Sequence, residues 1–205
     1  MWFILLCSII VVVIISDRLI AIKKAKLNVP AFLVKLRSIL KKKDIPAAML
    51  FCIEEKSPAS NIIRKGLKKY NYGHQRVKEA IESAGKQEII KLEKGLSILA
   101  TISGVAPLLG FLGTVLGMIG TFLKIENLHV PVIPADLAGG IWEALLTSAF
   151  GLVVGIVSFI FYNYLLSHIN RLVAELEIVS NDVLDIIEDV NKGVLTDEDL
   201  FTTEV

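Results

Sequence analysis

Glu143 is the only formally charged residue between Leu137 and Asn170, and two hydroxyls follow it at Thr147 and Ser148. A charged group deep in an apolar helix costs about 3 kcal/mol or more in lipid, so it normally faces a bundle interior or water. Counted from Asp136, Glu143 lies ~10 Å along a helix, within one half of a bilayer. The plainer alternative is a carboxylate that snorkels outward to the interface. A second run, "GFLGTVLGMIGT" from Gly110 to Thr121, places Thr114 and Thr121 among four glycines. Hydroxyls donate and accept hydrogen bonds without carrying charge, so an acid at the end of a hydroxyl-lined wall suits ion translocation. Thr114, Thr147 and Ser148 also have a purely structural use, since a buried hydroxyl can bond its own i−4 carbonyl.

The spacing around these groups defines the surface that carries them. Gly110, Gly113, Gly117 and Thr121 recur every three or four residues, with Gly120 beside them, and form one smooth helical stripe. Ala144, Ser148, Gly151, Gly155 and Ser158 form a second, flanked by Thr147. No hydrophobic force joins helices in lipid, so close packing relies on small residues that let backbones approach. Ordinary packing uses such stripes. Two matched stripes also favour a multi-helix assembly. Neither stripe-bearing segment holds a further carboxylate, lysine or arginine beyond Glu143 toward the other membrane face. A proton relay through them would need an acid from a partner helix.

Three apolar blocks position these residues, and the predicted fold is all-α with three membrane spans at 1–22, 95–125 and 137–167. The first reaches roughly 33 Å as a helix, enough if Arg18 sits at the membrane interface. It lacks the basic lead and small-residue cleavage site of a signal peptide, and is read as a retained span. Of the 22 Lys and Arg, 19 lie between Asp17 and Lys94, while only Lys124 lies between the uncharged block that ends at Leu123 and the third span. The positive-inside rule then puts residues 23–94 in the cytoplasm, the 126–136 loop outside, the N-terminus out and the C-terminus in.

Residues 23–94 read as a helical region. Phe32, Leu33, Leu36, Ile39 and Leu40 mark one helix, Asp44 and Ser57–Pro58 open two more, and Asn71–Gly73 is a turn. A fourth pattern, with Val77, Ile81, Ile89 and Leu92 on its stripe, shows no clear stop and is expected to run on into the second span. Residues 168–192 are expected to extend the third span as a helix, with an acidic, disordered tail at 193–205. Cys7 and Cys52 fall in different segments, and His74, His129 and His168 have no ligand-spaced neighbour. No metal, cofactor, nucleic-acid partner or enzymatic activity is expected.

"LEKGLSILATISGVAPLLGFLGTVLGMIGTF" and "GGIWEALLTSAFGLVVGIVSFIFYNYL" resemble the ExbB/TolQ branch of the MotA/TolQ/ExbB proton-channel family over most of residues 88–165. The resemblance implies a multi-pass protein of the bacterial inner membrane, assembled as a homopentamer around two single-span partners of the ExbD/TolR type. It also implies conversion of proton motive force into work that energises TonB-dependent import or, through TolA, the Tol–Pal system. Thr114 then matches the pore threonine, Glu143 the acid of the "EAL" motif, and Pro107 a helix bend. Ser148 stands where a threonine is usual, with Thr147 beside it. A flagellar stator of the MotA type has four spans, and three are read here. Gliding motors and a non-conducting membrane scaffold remain as alternatives.

Overall fold

In the computed structural model, which describes residues 2–25, 29–126 and 134–192, every element is helical and no strand occurs among the described residues. The order is α1 (Trp2–Ala25), α2 (Val29–Lys41), α3 (Ile45–Glu55), α4 (Pro58–Leu67), a short 3-10 turn (Tyr70–Tyr72), α5 (His74–Glu93), α6 (Leu96–Glu126) and α7 (Pro134–Lys192). Three helical stretches are long and apolar enough to cross a membrane, within Trp2–Ala25, His74–Glu126 and Leu137–Val190. The all-α, three-span architecture is therefore as expected. Most of the 126–136 loop and the 193–205 tail lie outside the described residues.

The chain forms two bodies. One joins α1 as far as Ile20 to Glu93–Ser167, and the other joins Ala21–Leu92 to the chain from His168 onward. In the second body the apolar rows read from sequence are buried, Phe32, Leu36 and Leu40 from α2 and Val77 and Ile81 from α5, and so are Leu172, Leu176, Val179, Val183 and Ile187 of α7. Each such side chain contributes about 1.5–3 kcal/mol by leaving water. Asp44 caps α3 by accepting from the Ala47 amide at 3.0 Å. Ser57 and Ser60 close a reciprocal capping box on α4, so two otherwise orphaned amides are satisfied. Gly66 admits the Ile81 side chain where a Cβ would collide with it.

Two expectations need correction. The fourth helix does not run unbroken into the second span: α5 ends at Glu93, and Gly95 adopts φ +85°, a left-handed turn that ends a helical ladder at little cost only for glycine. On α5 the buried row continues through Ala84 and Glu88, with Ile89 only half-buried. Glu88 tolerates this because Lys91, one turn on, donates to it at 2.7 Å.

In the first body, α6 and α7 lie antiparallel along the two small-residue stripes. Gly151 meets Gly110, Thr147 meets Gly113, Ala144 meets Gly117, and Gly140 meets Thr121. A Cβ on Gly151 would stand 2.7 Å from both the Ala106 carbonyl oxygen and the Gly110 Cα, and backbone cannot retreat as a side chain can. Gly155 receives the Pro107 ring in the same way. Both stripes are thus spent on each other within one chain.

Gly151→Val should cost about 1–3 kcal/mol by overpacking this seam, read as a lower unfolding midpoint in detergent. A Gly117→Cys/Ala144→Cys pair should oxidise to a bond within one chain, shifting mobility on a non-reducing gel without forming dimers. Dimers alone would mean that the stripes face other copies.

Candidate functional site

The seam sorts the candidate residues into two flanks. On a helix of 3.6 residues per turn, Glu143 lies roughly 100° round from Ala144, and Ser148 roughly 40° round in the opposite sense. Glu143 is exposed beside a groove lined by Gly113, Gly117, Gly120, Lys124, Gly140 and Thr147. Thr114 follows Gly110 by four residues, as Ser148 follows Ala144. The antiparallel pairing puts these two half-buried hydroxyl residues on the same side, away from the Glu143 groove. The structure therefore brings Glu143 and Thr147 together and Thr114 and Ser148 together, with the seam between the pairs.

The hydroxyls differ in what they have left to offer. Thr147 is 8% exposed, its methyl sits against Gly113, and its hydroxyl donates to the Glu143 carbonyl at 2.9 Å. Thr121 donates to the Gly117 carbonyl at 2.9 Å and Ser158 to the Val154 carbonyl at 2.7 Å. Thr114 donates to the Phe111 carbonyl at 2.5 Å. These donors are committed to the local backbone, which keeps the polar atoms satisfied in an apolar setting. Each oxygen still accepts. A half-exposed Thr114 offers that capacity to a neighbour more readily than a buried Thr147.

Pro107 sits inside α6 without ending it. Its ring lies against Gly155, and the missing N–H leaves the Ser103 carbonyl without its usual i+4 donor. Arg18 is 8% exposed within the first body and paired with the exposed Asp17, whose carboxylate compensates the buried charge. Gly120 has no atom within 4 Å of where a Cβ would be, so it leaves the floor of the Glu143 groove bare.

Lys124 lines the same groove as Glu143, a placement that the sequence did not show. Its signal was its isolation as the one cation between Leu123 and the third span. Cys52 offers no nucleophile, because burial, aided by Glu55, pushes its thiol up to about 11 and keeps it protonated. Among the described residues no cluster of three or more His, Cys, Asp or Glu is placed to hold a metal ion.

Comparison with known proteins matches these features to a family. Residues 54–178, more than half of the chain, match the MotA/TolQ/ExbB proton channel family. A putative biopolymer transport protein ExbB homolog of Methanothermobacter thermautotrophicus is 36% identical over 123 residues, covering 60% of this chain and 43% of that protein. The biopolymer transport protein ExbB of Xanthomonas campestris pv. campestris is 34% identical over 109 residues, 53% of this chain and 43% of its own length. The Tol-Pal system protein TolQ of Pseudomonas aeruginosa is 32% identical over 118 residues, 52% and 51% of the two chains. The matched region thus spans about half or less of each of these relatives. With its stripe-paired α6 and α7 and three helices long and apolar enough to cross a membrane, the chain belongs to the MotA/TolQ/ExbB proton channel family.

Proposed function

We propose that the chain is an ExbB/TolQ-like stator subunit of the bacterial inner membrane, working as a homopentamer around two single-span ExbD/TolR-type partners. In this reading proton motive force drives movement of the partner pair, which energises TonB-dependent import or, through TolA, the Tol–Pal system. The observation that carries it is the split of the α6–α7 pair: an exposed acid on one flank and two half-buried hydroxyl residues on the other, in a chain of this family.

The chemistry divides between the flanks. Glu143 acts at the outer end, where a carboxylate with its field confined by apolar walls concentrates cations at the mouth. Thr114 and Ser148 line the path for a protonated partner carboxylate, accepting its hydrogen bond without adding charge. Thr147 supports the Glu143 backbone, and Pro107 bends α6. Each proton crossing with the field releases about 2.3 kcal/mol per 100 mV, so several suffice for a mechanical step. The N-terminus is outside and residues 23–94 are cytoplasmic, consistent with the basic charge of that region.

The test is proton flux, followed with a pH-sensitive dye in proteoliposomes that hold the chain and its co-expressed single-span partner. Thr114→Val should preserve assembly and abolish coupled flux. Glu143→Gln should lower flux, since the carboxylate that gathers cations at the mouth is gone. Thr147→Val keeps the methyl on Gly113 and should leave flux within about fivefold of the parent, the hydroxyl being worth only about 1 kcal/mol. A scaffold that merely packs helices would tolerate all three substitutions, and normal flux in Thr114→Val would remove that residue from the path.

A further inference from the structure

We propose that the exposed face of α2 is a binding surface for anionic phospholipid headgroups. From Lys23 to Lys43 the chain carries seven lysines and Arg37 with no Asp or Glu, a run that begins in the last turn of a helix apolar enough to span the membrane. Such a juxtamembrane run attracts anionic lipid through the surface potential.

The structure shows which of these charges are available. α2 turns Phe32, Leu36 and Leu40 into the second body, so the opposite side faces outward. That side presents Val34, 72% exposed, with Arg37 and Lys42 exposed and Lys41 half-exposed. Lys35 is engaged elsewhere, its ammonium 4.9 Å above the Phe51 ring. Among the described residues no carboxylate forms an ion pair with Lys23, Lys24, Arg37, Lys41, Lys42 or Lys43. A side that presents unneutralised cations, with its apolar row turned inward, meets anionic headgroups through charge.

Chain length holds this face near the bilayer. Val29 follows Ala25 by four residues, a reach of at most roughly 14 Å. Lys23 and Lys24, exposed in the last turn of α1, bring the positive charge to the end of the span itself. A lipid headgroup is therefore the anion always within reach.

The experiment uses the full chain, carrying Ser38→Cys on a Cys7→Ala background, labelled with a fluorophore and placed in nanodiscs. Headgroup spin-labelled phosphatidylglycerol should quench the label at least about fivefold more effectively than spin-labelled phosphatidylcholine, the attraction of a single cation at an anionic surface. The preference should fall as salt rises and vanish in Arg37→Gln/Lys41→Gln/Lys42→Gln, with circular dichroism confirming that this variant remains folded. Equal quenching by the two lipids, or a preference that survives in the triple variant, overturns the proposal. Loss of quenching on adding inorganic phosphate at constant ionic strength also overturns it, by showing that the face takes free anions.

Discussion

Close approach of two backbones in a medium that gives no hydrophobic reward for it is the constraint behind the first body. In lipid, α6 and α7 gain only dispersion and weak polar contacts by pairing, and those fall away steeply with distance. Glycine at 110, 113, 151 and 155 removes the atoms that would hold the helices apart. Once the seam is closed, the rotation of each helix is fixed. Which side chains stand on which flank then follows from helical geometry alone.

That is how packing becomes function here. Glu143 gains its exposure because its neighbour Ala144 is the residue placed on Gly117, and an acid one position along must face the groove. Thr114 stays half-buried one turn from Gly110, and Ser148 stays half-buried because its own backbone is the part set against Gly110. Packing the stripes differently would move all of these residues at once. The second body is built on other physics, with ordinary apolar burial, capped helices and buried isoleucines.

Much of this was legible beforehand, for identifiable reasons. Three spans follow from apolar length, and helices α2 to α5 from row spacing and from the caps at Asp44 and Ser57. The stripes themselves were legible, but what they face was not: Thr147 and Ser148 are adjacent hydroxyl residues, and only the docked partner shows that one turns into the seam. The break at Gly95 was hidden because glycine is tolerated within helices as well as after them. The burial of Arg18 was not legible because it depends on helices brought in from far along the chain, while its partner Asp17, the preceding residue, stays exposed. Glu88 escaped notice because a carboxylate on a buried row is explained only by the lysine that meets it.

The central claim is that the flank bearing Thr114 and Ser148 faces a helix of another polypeptide. Met118, one turn beyond Thr114 on that flank and 46% exposed, tolerates a photoreactive side chain without disturbing the seam. Val153, 58% exposed on the far side of α7, serves as its counterpart. Irradiation in native membranes should join position 118 to a second, non-identical polypeptide and position 153 to lipid. Lipid adducts alone at both positions would contradict the claim.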